Sequence, residues 1–202
     1  QAQDLSVACD GLGNTVELTN WLSSNGGADA DDACGNVTWT NDYTALTSAC
    51  GNTGSATVIF TATDACGNTA TTSATFTIDD TTDPNITTAA QDYTAECDGL
   101  GNTVELTNWL SSNGGASADD ACGNVTWTND YTALTSACGN TGSATVIFTA
   151  TDACGNTATT SATFTIEDNL NPTITTQAQD LSVACDGLGN TVELTNWLSS
   201  NG

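Results

Sequence analysis

The sequence contains no lysine, arginine, histidine or methionine. Without histidine there is no Ser–His or Cys–His dyad, and without lysine neither a Schiff base nor a P-loop. With 24 acidic side chains and no basic ones the formal charge is −24. Such a chain cannot hold a phosphate backbone, so no nucleic-acid partner is expected. The same charge repels anionic lipid headgroups. No run of about 18 apolar residues occurs, so no membrane span is expected in this stretch. What remains for chemistry is carboxylates, hydroxyls, nine cysteines and bound cations. No carboxylate can find a cationic side chain in the chain, so repulsion must be screened, spread over solvent or neutralised by metal.

What the 202 residues do contain is a repeat. Cys9, Cys97 and Cys185 stand 88 residues apart, and the stretch from Asp10 to Ile78 recurs from Asp98 to Ile166 with one difference, Asp29 against Ser117. Gln177 to Gly202 repeats Gln1 to Gly26 without change. A period of this length is too long for a solenoid turn and suits a small independent β-domain. The expected division is residues 1–80, 81–168 and 169–202, the last a partial unit too short to bury a core by itself. We expect a window on a longer tandem array, or an assembly in which another chain completes the partial unit.

Within a repeat, apolar residues alternate in Val37–Thr40, in Thr57–Thr63 and in Ser73–Ile78. Val58, Phe60 and Ala62 point one way and Thr57, Ile59, Thr61 and Thr63 the other. Ala74, Phe76 and Ile78 alternate likewise with Thr75 and Thr77. These are half-buried strands at period two, and Leu5, Val7 and Cys9 form a shorter one. Asn14 to Gly26 follows another rule. Leu18, Trp21 and Leu22 share a helical face, Asn14 with Glu17 forms an approximate capping box, and Asn25-Gly26-Gly27 stops the helix. Gly11-Leu12-Gly13 lacks the third glycine of a dinucleotide fingerprint and reads as a turn.

The segment Asp-Ala-Cys-Gly-Asn occurs twice per repeat, at 32–36 and 64–68 and again at 120–124 and 152–156. With Thr-Ala-Thr before its second copy and a threonine-rich final strand, it resembles the HYR-type immunoglobulin-like repeats of large secreted bacterial proteins, especially Bacteroidetes surface and gliding-associated adhesins. The resemblance implies a mainly β chain of tandem Ig-like sandwiches, each with a short helix and two disulfides, and an extracellular, structural or adhesive role.

Four cysteines per repeat is an even count, which favours disulfides over a rival zinc site built from four thiolates, since no Cys-x-x-Cys knuckle exists. Three pairings are open. The Ig-like topology implied by the resemblance puts Cys34 and Cys66 at one end of a unit and Cys9 and Cys50 at the other. The implied bonds are then Cys9–Cys50 and Cys34–Cys66, repeated as Cys97–Cys138 and Cys122–Cys154. The same topology carries Asp79, Asp80 and Asp83 of the linker beside Asp119, Asp120 and Asp152 of the next unit. Asp31, Asp32 and Asp64 are the first repeat's counterparts. Polar turn residues are the plain account of these aspartates. Calcium, which takes several carboxylate oxygens, is the sharper one, although no EF-hand spacing is present.

Thr38, Thr40, Thr61, Thr63, Thr75 and Thr77 form an outward hydroxyl pattern. Cross-strand pairing explains it, and O-glycosylation or binding of carbohydrate or ice are the functional alternatives. Thr81 follows Asp80 in an arrangement resembling the O-glycan acceptor of Bacteroidetes, and Asn36, Asn85 and Asn124 head N-glycan sequons. The leading expectation is a non-enzymatic, cell-surface stalk, adhesin shaft or filament, its partners being neighbouring repeats and other copies in a fibre. Near-identical copies suit a spacer, each advancing the array by roughly 35–45 Å. An array of carbohydrate-binding modules is the alternative, and a two-carboxylate glycosidase is the remote third.

Overall fold

A computed structural model describes residues 1–201. The chain is mainly β. The first repeat contains β1 (Leu5–Ala8), helix α1 (Thr15–Ser23), a 3-10 turn (Asn25–Gly27), β2 (Thr38–Asn41), β3 (Thr47–Ser48) and the long hairpin β4 (Gly54–Thr63) and β5 (Thr69–Asp79). After β6 (Asn85–Thr88) the same order returns as β7 (Tyr93–Glu96), α2 (Thr103–Ser111), a 3-10 turn (Asn113–Gly115), β8 (Ser117–Asp119), β9 (Thr126–Asn129), β10 (Thr135–Ser136), β11 (Gly142–Thr151) and β12 (Thr157–Glu167). Helix α3 (Thr191–Ser199) lies in the third copy. Gln1–Asp168 forms one compact unit and a second begins at Asn169.

Each full repeat is organised on one five-stranded sheet. In the first, β1 runs parallel to β5, β5 pairs antiparallel with β4, and β2 and β3 both pair with β4. The alternation in β4 and β5 sets which face is buried. Val58, Phe60, Ala74, Phe76 and Ile78 are nearly inaccessible, whereas Ile59 on the other face is 45% exposed. Helix α1 closes over the buried face with Leu18 and Trp21, and the indole meets Phe60 edge-on with ring centroids 5.2 Å apart. The second repeat copies this with Trp109 on Phe148, also at 5.2 Å. The layer facing each sheet is thus largely helix and 3-10 turn rather than a second full sheet. In the second repeat a two-stranded ladder of β6 and β8 adds to it. In the unit beginning at Asn169, the same helix leaves Leu194 and Leu198 exposed.

The helix stands where the leucine and tryptophan spacing predicts it, but the capping box does not form. Asn14 adopts a left-handed conformation (φ 47°) and makes no side-chain cap. Its amide is committed behind it, donating to the Ala8 carbonyl at 2.9 Å and accepting from the Asp10 N–H at 3.2 Å. Asp10 in turn accepts the N–H groups of Leu12 and Asn14 at 2.7 and 2.9 Å. The Asp-Gly-Leu-Gly-Asn segment is therefore a self-satisfied loop that leads strand into helix.

Candidate functional site at the repeat junction

The two full repeats meet end to end, and the first component of that contact is the Asp-Ala-Cys-Gly-Asn loop. At 64–68 it is the five-residue connection of the β4–β5 hairpin. The Asp64 carboxylate accepts the N–H groups of Cys66 and Asn68 at 2.8 Å each and the Asn68 side-chain amide at 2.7 Å. Gly67 takes the positive φ of 89° that the tight return requires. Aspartate closes the turn, glycine permits it and the cysteine stands at its tip. Asp152 does the same in the second repeat, with Oδ1 accepting from Cys154, Gly155 and Asn156 and Oδ2 from the Asn156 amide. At Asp32 and Asp120 the carboxylate accepts the N–H of Cys34 and of Cys122 at 2.8 and 2.7 Å.

These donors hold the carboxylates of Asp64 and Asp152 below the ordinary aspartate value. At Asp64 the Asn68 side chain is the main cause. At Asp152 burial pushes upward, but the Asn156 amide and the loop N–H groups outweigh it. Asp10, Asp98 and Asp186 are lowered mainly by backbone N–H donors of their own glycine loops.

The cysteine bonds differ from those the resemblance implies. Cys9 is bonded to Cys122 and Cys50 to Cys154, with Cα separations of 6.1 and 5.0 Å. Both bonds connect different repeats. Cys9 and Cys50 share one end of the first repeat, as Cys122 and Cys154 share the facing end of the second. Bonds within a repeat, Cys9–Cys50 or Cys122–Cys154, are displaced because the two ends abut and each sulfur meets its partner across the junction. Cys34, Cys66, Cys97, Cys138 and Cys185 are free thiols.

The backbone is shaped for this approach. Gly11 and Gly51 have positive φ of 75° and 53°, and a Cβ on either would overlap a carbonyl oxygen of the other repeat, that of Ala121 or Cys122. The Asn52 N–H donates to the Cys122 carbonyl at 2.8 Å, and the Asn156 amide reaches the Asp80 carbonyl at 3.2 Å.

Beside the Cys9–Cys122 bond lies a cleft of about 470 Å³ lined by Asp80, Asp83, Asp119 and Asp120 together with Thr82 and Asn85. One carboxylate oxygen each from Asp80 and Asp120 lies within 4.8 Å of the other and of the Cys122 sulfur. That sulfur is consumed by the disulfide and is no thiolate donor. Asp80 Oδ1 accepts the Thr82 N–H at 3.1 Å, while Oδ2 is buried without a hydrogen-bond partner. Asp119 accepts the Asn85 amide at 3.1 Å.

Of the nine aspartates singled out from sequence, the structure gathers Asp80, Asp83, Asp119 and Asp120 at the cleft. Asp79 instead accepts the Ser6 hydroxyl at 2.6 Å, and Asp152 is filled by its own turn. Asp31, Asp32 and Asp64 line a separate cleft of about 180 Å³ on the first repeat. The junction-crossing roles of Asn52 and Asn156 were missed by sequence reasoning. Both belong to the cysteine loops, and their nearness to Cys50 and Cys154 is the signal that could have found them.

The threonines lie on the outer face in register, Thr38 opposite Thr63, Thr40 opposite Thr61 and Ser55 opposite Thr77. Thr57 and Thr75 share a hydroxyl hydrogen bond at 3.0 Å, and Thr38 donates to the Thr63 carbonyl at 3.3 Å. Thr81, Asn36, Asn85 and Asn124 are exposed, and Thr61, Thr63, Thr75 and Thr77 are half-buried.

No protein-family model and no curated protein matches the sequence. Among solved structures the chain is similar to Drosophila N-cadherin EC1-4 (TM-score 0.30, 14% identity, covering 67% of this chain and 42% of that one). It is also similar to the human desmocollin-1 ectodomain (TM-score 0.26, 14% identity, 56% and 26%). The chain therefore spans less than half of either.

Proposed function

We propose that the chain is part of an extracellular structural rod in which Ig-like repeats are joined end to end. The observation that carries this reading is the pair of disulfides running from one repeat to the next. A disulfide inside a domain stabilises that domain, whereas two bonds across a junction fix the angle and spacing of neighbours, which is what a shaft needs. Persistent disulfides also belong to oxidising surroundings, in keeping with a secreted or cell-surface location. The resemblance of the twin Asp-Ala-Cys-Gly-Asn loops to HYR repeats points the same way.

Calcium at the junction is the second element of the proposal. Asp80 and Asp120 bring two carboxylates together in a chain with no cation of its own, and the buried Asp80 Oδ2 has no donor to satisfy it. A hard divalent ion answers both conditions, with Asp83 and Asp119 at the rim supplying further oxygens. The hydroxyl face remains the candidate for glycans. Its threonines pair with one another, so attached sugar would add to a stable sheet rather than be needed to form it.

Small-angle scattering tests the rod. In the oxidised chain with calcium, Gln1–Asp168 should behave as one stiff body, and reductant plus chelator should broaden its distance distribution. Chelator alone should lower the melting temperature, and Asp80→Asn with Asp120→Asn should abolish that response. Identical scattering under all conditions would refute the rod, and identical melting in calcium and chelator would refute the ion.

A further inference from the structure

The Cys9–Cys122 bond and the acidic cleft beside it form one chemical unit. Cys122 is 3% exposed, and its sulfur and one carboxylate oxygen each from Asp80 and Asp120 all lie within 4.8 Å of one another. Asp120 accepts the Cys122 N–H at 2.7 Å, which keeps its carboxylate beside that residue. Cys9 lines the same cleft. In the disulfide neither sulfur carries charge, so the cleft offers oxygen donors alone and suits a hard cation. Breaking the bond changes the donor set. A thiolate at Cys122 then stands beside two carboxylates, in a chain with no lysine, arginine or histidine to offset them. Asp80 Oδ2 is already buried without a hydrogen-bond partner. Two carboxylates and a thiolate are a ligand set for a thiophilic divalent ion of the zinc type. Tetrahedral zinc places its donors about 3.5 Å apart, so closing these three onto one ion takes side-chain movements of about 1 Å.

We propose that reduction of Cys9–Cys122 turns the cleft into a binding site for a thiophilic divalent ion, held by Asp80, Asp120 and the Cys122 thiolate. Cys9, released beside them, is the donor at hand for the fourth position. The inference rests on the cross-repeat bond of the rod reading and stands apart from calcium. A dithiol supplies the two electrons. One of its thiolates attacks the half-buried Cys9 sulfur, the more accessible of the pair, and Cys122 leaves as a thiolate. The second thiolate of the dithiol then attacks the reductant's own sulfur in the mixed disulfide and releases Cys9. The dithiol ends as a cyclic disulfide, both cysteines are reduced, and the two dithiol protons pass to solvent as the metal takes the thiolates. Asp80 closes the first repeat, whereas Asp120 and Cys122 belong to the second. The ion therefore replaces a covalent tie across the junction with a coordinate one.

The test uses the full chain carrying Cys34→Ser, Cys66→Ser, Cys97→Ser, Cys138→Ser and Cys185→Ser, which keeps only the four junction cysteines. It is reduced with dithiothreitol, freed of reductant under nitrogen and titrated with cobalt(II), whose thiolate bonds give a near-ultraviolet charge-transfer band. A single cobalt should bind the reduced chain with that band, and the oxidised chain should show none. Adding Cys122→Ser should remove the band, whereas adding Cys154→Ser, which also costs a junction bond, should leave it. Asp80→Asn with Asp120→Asn should weaken cobalt binding by about tenfold or more. A reduced chain without the band, whose oxidised form still has fragment 1–17 bonded to 106–167 after cleavage at glutamate, would overturn the metal site and leave the rod intact. A band that survives Cys122→Ser, or binding unchanged by the two aspartate substitutions, would overturn it too. Absence of the bond between 1–17 and 106–167 in the oxidised chain would instead overturn the rod itself.

Discussion

Cys50 and Cys138 occupy equivalent places in sequence-identical surroundings, but only Cys50 is bonded. Replacing each by serine therefore separates bonding across repeats from bonding within them. The Cys50–Cys154 bond spans 104 residues. In the chain-entropy account a loop of about 100 residues is worth about 4.7 kcal/mol, and slightly less when a second crosslink already shortens the free path. Local contacts cannot offset the loss, because the serine hydroxyl keeps only the contact that Cys50 Sγ makes with Thr53 Oγ1 at 3.3 Å. If the two repeats unfold together, about 4 kcal/mol at roughly 2–4 °C per kcal/mol lowers the melting temperature of Cys50→Ser by about 10 °C. Cys138→Ser breaks no bond and should melt with the parent. Calorimetry without reductant reads both. Equal shifts for the two variants would mean that each cysteine is bonded inside its own repeat, and the cross-repeat junction would fall.

Acid should act late and in one direction. The folded-state values of Asp10, Asp64, Asp98 and Asp152 are lowered by N–H donors, so their contribution is complete above the ordinary aspartate value and is lost as pH falls through the lowered ones. Denaturant midpoints should hold steady from pH 7 to about pH 4 and drop below it, and a decline already under way near pH 6 would contradict this. Asn102 is 2% exposed and left-handed, with its amide on the Glu96 carbonyl at 2.9 Å. Asn102→Ala should cost about 2–4 kcal/mol, from the αL strain and the loss of the buried amide's hydrogen bonds together, and Asn102→Gly less, because glycine relieves the strain. Equal losses in urea unfolding would show that backbone strain plays no part.

The strands were legible because the period-two pattern has a physical cause that needs no distant information. One face of β4 and β5 is covered and the other is wet, and Phe60 and Phe76 mark the covered side. The helix was legible from Leu18, Trp21 and Leu22 and its start from Asn14, but the capping contact was not, since an asparagine before a helix can cap forward or brace the loop behind, and Asn14 does the second. The cysteine pairing was illegible for a deeper reason. In a sequence that repeats itself, a partner in the same unit and its copy in the next unit have identical surroundings in sequence, and only the meeting of two ends in space separates them. At the cleft, the linker position of Asp80 foretold its approach to Asp120. Asp152, read from sequence as part of the same cluster, has its carboxylate taken up by the donors of its own turn. The same five-residue motif closes on its asparagine at Asp64 and Asp152, whereas at Asp32 and Asp120 the carboxylate takes the cysteine N–H, so hairpin position rather than the motif separates the two kinds.

The most direct test of the cross-repeat junction is a non-reducing digest cleaved after Glu17, Glu96, Glu105 and Glu167, which yields fragments of unique mass. Bonds of Cys9 to Cys122 and Cys50 to Cys154 predict one complex containing 1–17, 18–96 and 106–167, with 97–105 released as a free thiol peptide. Two separate complexes, 1–17 with 18–96 and 97–105 with 106–167, would show that each repeat closes on itself and would contradict the account.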